Sequence, residues 1–217
     1  MRVLVTGMIA GMDDESYINQ VLQMGQDQGL DISYHNLINA LESTGGKKLD
    51  RLLGTTNYLF EVLREREYRK IGFELEANDV TNAIVRAPST IEWKHVNIKL
   101  KDHKEIAHFI RPDVIVTLID AEWFIQERMH DAQKRDEFFQ RVKQHNFSIR
   151  EILSWMDEEV SLSEDWAEHL NVRHYVIPIG QNPDSLFKLI KYQHVPSFYV
   201  SYSMTHSDPQ ARAVVDE

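Results

Sequence analysis

The chain has 217 residues, room for one large domain with a full hydrophobic core, and its 34 acidic against 24 basic residues give a formal net charge of −10. A field of that sign repels phosphate backbones, which argues against nucleic acid as a partner, and no apolar run reaches the roughly 18 to 20 residues that cross a bilayer, which argues against a membrane. With no cysteine there is no disulfide framework and no thiolate chemistry, as suits a cytoplasmic protein.

The chain opens on Met1-Arg-Val-Leu-Val-Thr-Gly-Met-Ile-Ala-Gly-Met-Asp-Asp14, an apolar run that reads as a strand, breaks at Gly7, reaches Gly11 and turns acidic at Asp13 and Asp14. A strand, a glycine turn and a helix start aim backbone N–H groups at a phosphate, so Gly7, Met8, Ile9, Ala10 and Gly11 are candidate phosphate-binding positions. A phosphate loop of the form Gly-x-x-x-x-Gly-Lys-Ser/Thr is incomplete here. Counted from Gly7, its second glycine falls on Met12, its lysine on Asp13 and its hydroxyl on Asp14.

From Asp13 to Gln28 the apolar residues Tyr17, Ile18, Val21, Leu22 and Met24 keep a helical spacing that ends near Gly25 or Gly29. The acids of its first turn either oppose the helix dipole favourably or stand where a phosphate would sit, with a metal between. Asp31 to Tyr34 reads as a second strand, followed by a helical turn from Asn36 to Glu42 and the loop Ser43 to Gly46.

Leu49 to Glu76 reads as one helix, with Leu52, Leu53, Tyr58, Leu59, Leu63 and Ile71 as its apolar stripe and Arg64 to Lys70 as a charged face. That face is either solvated or an arginine set for a substrate phosphate. Asn82 to Thr90 is a strand and its exit loop: Pro88 stops the strand, Ser89 and Thr90 can cap the next element, and Arg86 lies at the carboxyl end, where open α/β sheets bind ligands. A salt bridge to Asp120 is the structural alternative for Arg86.

Trp93 to Leu100 is ambiguous between an edge strand and an exposed loop. A helix from Asp102 to Ile110 precedes Val114 to Ile119, whose unbroken β-branched run predicts a strand covered on both faces. Asp120 ends that strand, placed either to hold a metal or to cap the helix of Trp123, Phe124 and Ile125. A charged run from Arg128 to Arg141 comes next, then a helix from Gln140 to Met156, an acidic stretch from Asp157 to Asp165, and a short helix through Trp166 and Leu170. His174 to Ile179 is the last strand of the unit and Asp184 to Tyr192 its closing helix, with Pro183 at the favoured first position. The ten histidines show no zinc spacing, and no nucleophile motif is present.

In this order the elements resemble the adenylate kinase-like nucleotide kinases of the P-loop NTPase class, in the layout of the archaeal-type adenylate kinases. The likeness runs over residues 1–193. Val3 to Gly7 looks like the family's opening strand, Ile84 to Thr90 like its substrate-side strand, Arg111 to Leu118 like the strand after an x-Pro-Asp start, Arg128 to Arg135 like its arginine-bearing lid, and Tyr175 to Ile190 like its closing strand, loop and helix. The resemblance implies a three-layer α/β/α domain with a mostly parallel central sheet. It also implies a nucleotide or nucleoside ligand whose phosphates meet Arg86, Arg128 and Arg135; if the site is that of an active kinase, Asp120, Asp13 or Asp14 holds Mg²⁺ with the nucleotide, and otherwise no cofactor is expected.

The departures limit the chemistry. Phosphoryl transfer is catalysed by positive charge on the transferred group, and two acids stand where the lysine and hydroxyl should be. The sequence therefore predicts a degenerate kinase-like domain that binds a nucleotide-like ligand, or regulates or assembles, without efficient transfer from ATP. The alternatives are an active kinase with a rearranged phosphate site, and a structural module that self-associates or docks a protein through Trp93, Trp123 and Trp166. Residues 194–217 read as a tail or as the start of a second α/β domain, faintly similar to the opening of nucleoside deoxyribosyltransferase-like domains.

Overall fold

The apolar runs line up side by side as one parallel sheet. A computed structural model describes residues 1–9, 11–93, 96–135 and 147–193 of the chain; Ala10, residues 94–95 and 136–146, the tail from 194 onward, and the side chains of residues 50, 93, 96 and 132–135 lie outside the described residues. The five strands are β1 (Arg2–Thr6), β2 (Ser33–Asn36), β3 (Ala83–Arg86), β6 (Val114–Ile119) and β7 (Arg173–Pro178), in the order β2-β3-β1-β6-β7. All pair in parallel; Val3 lies opposite both Ile84 and Val114. A separate antiparallel hairpin joins β4 (Thr90–Trp93) to β5 (Val96–Lys99), which resolves the ambiguous segment as strand.

Alternation along each strand builds two cores. Val3, Val5, Val114, Val116 and Leu118 face α1 (Asp14–Asp27) and α8 (Asp184–Tyr192), while Leu4, Val85 and Ile115 face α2 (Leu37–Gly45), α4 (Asn57–Ala77) and α7 (Ile149–Leu170). Helices on both faces of a parallel sheet make the three-layer α/β/α arrangement that the sequence predicts. A third cluster of Met8, Ile125, Met129, Phe147 and Ile152 packs the first turn against α6 (Glu122–Arg135) and α7 at the carboxyl end of the sheet. Among the described residues no helix is long and apolar enough to cross a membrane.

Several expectations change. The stretch from Leu49 to Glu76 is two helices, α3 (Leu49–Leu53) and α4, because Thr56 accepts from the Leu59 amide and starts a new helix in a new phase. Phe60, Tyr68, Ile71 and Leu75 become the buried stripe, whereas Tyr58 is 76% exposed. The charged face is not wholly solvated either. Arg64 is buried and grips Asp102 through Nε and Nη2, with the Tyr68 hydroxyl donating to the same carboxylate, and Glu67 is buried as well.

Beyond Met156 there is one helix rather than two. α7 runs 22 residues from its Ser148 cap, because the acids read as a break lie mostly on its solvent side while Ile152, Glu159, Ser163 and Trp166 repeat along its buried stripe. Trp166 is accordingly core and no candidate for an interface. Ser89 and Thr90 lead into β4 instead of capping a helix. The segment after Asp102 forms α5 (His103–Glu105), which widens into a π-helical turn over Ile106–Ile110.

Gly72 of α4 meets that turn. A Cβ built there would lie 2.5 Å from the Phe109 carbonyl oxygen, so only glycine lets the two backbones approach. Gly72→Ala is expected to lower stability by about 1 to 3 kcal/mol, measured by urea unfolding, as overpacking against rigid backbone does.

Candidate functional site

The site is assembled at the carboxyl end of β1, in the turn from Gly7 to Gly11. Gly7 has φ +142° and its absent Cβ would stand 2.8 Å from the Leu118 carbonyl oxygen; Gly11 has φ +73° and would meet Met129 and the Ile125 carbonyl. Both glycines are thus dictated by backbone conformation and by contact with β6 and α6. Met8 is buried in the third core cluster and Ile9 packs on the larger core, so the turn lies folded against the protein.

A carboxylate already occupies the donors beside this turn. Glu159 of α7 is 1% exposed; its Oε1 accepts from the Gly7 and Ser89 amides, both at 2.8 Å, and its Oε2 from the Thr90 amide at 2.7 Å and the Thr90 hydroxyl at 2.5 Å. Behind it runs a chain of buried hydroxyls. Ser163 donates to Thr6 at 2.8 Å, Thr6 meets Thr117 at 2.7 Å, and Thr117 meets His174 Nε2 at 2.8 Å.

Arg86 is also held from within. Its Nε pairs with the Asp14 carboxylate, and its Nη2 donates to the carbonyls of Gly7 at 2.9 Å and Met8 at 3.1 Å. Burial pulls against its charge, but Asp14, with help from Glu159 and Tyr34, more than offsets that, and the guanidinium pKa is raised. The partner of Arg86 is Asp14, not Asp120. Glu15 next to it accepts from the Tyr34 hydroxyl at 2.8 Å and from Asn36 at 2.5 Å, fixing the first turn of α1 to β2.

Asp120 belongs to Arg128. Its Oδ1 accepts from the Ala121 amide at 2.8 Å while its Oδ2 pairs with the Arg128 guanidinium, whose Nε donates to the Gly11 carbonyl. This bridge ties the turn to β6 and α6 and borders a cavity of about 260 Å³. Asp13, Tyr17, Asp120, Phe124, Arg128 and Gly180 are among the residues that line it. Of the sequence-derived site residues, Asp13, Asp120 and Arg128 therefore share one cavity, whereas Arg86 and Gly7 sit in a separate buried cluster.

Of the two carboxylates read as metal-holding, Asp120 has both oxygens engaged and Asp13 is exposed. Mg²⁺ wants oxygen ligands in near-octahedral order, and one oxygen of Asp120 is taken by Arg128 while the other accepts a backbone N–H. Among the described residues no group of three or more histidines or acids could hold a metal.

Sequence reading missed Glu159, Asp14 as the partner of Arg86, and Tyr17. Glu159 had a readable signal, since it falls seven residues after Ile152 and four before Ser163 on a single helical face.

No protein-family model matches the sequence, and no curated protein matches it. Its fold is shared with shikimate kinases. The enzyme from Bacteroides thetaiotaomicron superposes with a TM-score of 0.53 at 12% identity, over 89% of this chain and 97% of that one. The Aquifex aeolicus enzyme gives 0.51 at 8%, over 88% and 95%, and the Acinetobacter baumannii enzyme, solved with shikimate, 0.52 at 11%, over 90% and 95%. The likeness is one of fold: a mostly parallel sheet with its flanking helices.

Removing the Glu159 carboxylate strands three backbone amides and a hydroxyl. Glu159→Ala is expected to cost about 3 to 5 kcal/mol in urea unfolding, and Glu159→Gln less, because an amide oxygen still accepts. The histidine at the other end of the hydroxyl chain sets a pH dependence. Burial holds His174 and His35 below the usual histidine range, with Glu164 and Glu74 opposing. The unfolded chain takes up those protons near pH ~6.5, so the stability they confer is present above that pH and lost as pH falls through the lower folded values. The thermal midpoint should drop on acidification from about pH 7.5 to about 5.5. His174→Gln should make that slope shallower.

Proposed function

We infer that this chain is a binding module on a nucleotide-kinase scaffold, taking a nucleotide or nucleotide-like ligand in the cavity beside the Gly7–Gly11 turn without efficient phosphoryl transfer from ATP. The observation that carries the reading is the placement of that cavity. It opens outside the carboxyl ends of β6 and β7 and against the first turns of α1, where ligands enter open α/β sheets, and it is walled by a mixture of hydroxyl, carboxylate, guanidinium and aromatic groups.

The charge distribution supports binding over chemistry. A transferred phosphoryl group needs several positive or N–H groups aimed at it. Here the Gly7 amide is directed at Glu159, the Arg86 guanidinium at Asp14 and two carbonyls, and the Arg128 guanidinium at Asp120 and the Gly11 carbonyl. Asp13 stands where the phosphate-loop lysine would be, and a carboxylate there repels the charge that builds up on transfer.

Calorimetry with a panel of nucleosides and nucleotides, with and without Mg²⁺, tests the reading. At least one member should bind, and incubation with ATP, Mg²⁺ and nucleoside monophosphates should yield no product above the uncatalysed background. Silence of the whole panel at millimolar concentration overturns it. Transfer to any monophosphate, abolished by Asp120→Asn, would replace it with an active kinase.

A further inference from the structure

We propose that Ser33 is a reactive serine: its hydroxyl oxygen attacks a small activated ester, His35 takes the hydroxyl proton as general base, and Glu74 is the counter-charge of the imidazolium that forms. The site lies at the amino end of β2, the opposite end of the parallel sheet from the Gly7–Gly11 turn, and is independent of the cavity there.

The strand brings nucleophile and base together. Ser33 and His35 are two residues apart in β2, so their side chains share one face of it. They lie in register with Ala83 and Val85, which belong to the core under α4. On that face Ser33 Oγ is 2.9 Å from His35 Nε2, and His35 Nδ1 is 3.5 Å from a carboxylate oxygen of Glu74 in α4. A carboxylate can only accept, so Glu74 favours the imidazole tautomer with its proton on Nδ1. Nε2 then presents a lone pair, and the Ser33 hydroxyl is the donor of the 2.9 Å bond. Serine, histidine and carboxylate in that order are the arrangement that activates serine nucleophiles on unrelated folds. At 3.5 Å the Glu74 contact is an ion-pair distance, so the carboxylate acts through its charge.

The base is in the state the step needs. Burial holds His35 below the usual histidine range, with Glu74 opposing, which leaves the ring neutral at pH 7. The His35 side chain is 16% exposed and that of Glu74 41%, and Ser33 is half-buried, so the group is shielded yet reachable.

The edge of the sheet adds a donor. The Ser33 amide donates to the Asn82 carbonyl on the β3 side, so the alternation of a parallel ladder points the next amide, that of Tyr34, away from β3. Among the described residues β2 is the outer strand, which leaves that N–H on a free edge. The amide that follows a nucleophilic serine is a recurrent oxyanion donor. In the step itself, a bond forms between Ser33 Oγ and the acyl carbon, and the hydroxyl proton passes to His35 Nε2. The bond from that carbon to the leaving oxygen breaks, and His35 returns its proton to solvent.

The probe is p-nitrophenyl acetate on the full chain, read by nitrophenolate release and by peptide mapping in a mass spectrometer. One acetyl group should map to Ser33. Ser33→Ala should lose that burst, and His35→Gln should slow it roughly 100-fold, the lower end of what a positioned base contributes. The rate at Ser33 should rise with pH as His35 deprotonates, with its midpoint below about 6.5. Glu74→Gln, a change at an exposed position that keeps the fold, removes a charge that raises the proton affinity of His35 and should move that midpoint to lower pH. A hydroxyl that merely satisfies the imidazole would give neither the burst nor the shift. Acetyl groups on lysines with none on Ser33, an unchanged rate in His35→Gln, or an unmoved midpoint in Glu74→Gln each overturn the inference.

Discussion

The carboxyl end of the sheet is organised around the Glu159 carboxylate. Open α/β sheets gather uncommitted backbone N–H groups at this end, where turns leave the strands and helices begin. In this chain three of those N–H groups, from Gly7, Ser89 and Thr90, converge on one side chain delivered by α7. A carboxylate buried without such donors would be too costly to keep, and donors buried without it would be orphaned. The two conditions satisfy each other, and together they tie α7, which packs on β6 and β7, to the turns that follow β1 and β3. The hydroxyl chain through Ser163, Thr6 and Thr117 continues the same seam to β7.

The same solution is used at two further places along this edge. Asp14 receives Arg86 and Asp120 receives Arg128, each guanidinium also reaching a carbonyl of the first turn. Each pair closes a gap in which a free anion or cation would otherwise be the counter-charge. A buried guanidinium with its carboxylate is a weak source of stability but a strong source of geometry, because either partner alone would be stranded. The turn from Gly7 to Gly11 is consequently held from three sides by protein groups. Its shape depends on internal ions, not on a bound phosphate.

Much of the fold was legible in the sequence because it rests on period and punctuation. Val114 to Ile119 announced a covered strand by its β-branched run, and Gly7 announced a turn that the structure requires through its φ and its contact with Leu118. What failed were phase and pairing. A cap at Thr56 restarted the helical register and moved Tyr58 and Leu59 outward, and a single acid on the inner stripe of α7 was hidden among acids on its outer face. The candidate site was legible only in part. Sequence placed Asp13, Asp120 and Arg128 near one another, and the structure brings them to one cavity, but partner choice depends on side-chain reach across strands. Nothing local in the sequence says that Arg86 finds Asp14 or that Glu159 finds Gly7, 152 residues away in the chain.

The distribution of satisfied and unsatisfied groups is the final constraint. Along the buried seam Glu159, Ser163, Thr6 and Thr117 are all hydrogen-bonded, and the ions of the edge are paired. The exceptions are the Tyr17 hydroxyl, buried in the core under α1, and Nη1 of Arg86, each without a hydrogen-bond partner, while the Asp13 carboxylate is exposed and stands apart from either guanidinium pair. Unfilled hydrogen-bonding capacity is spread over the fold, since both carboxylate oxygens of Glu67 and one of Glu105 are also buried without a hydrogen-bond partner, and it follows helix packing as much as the sheet edge.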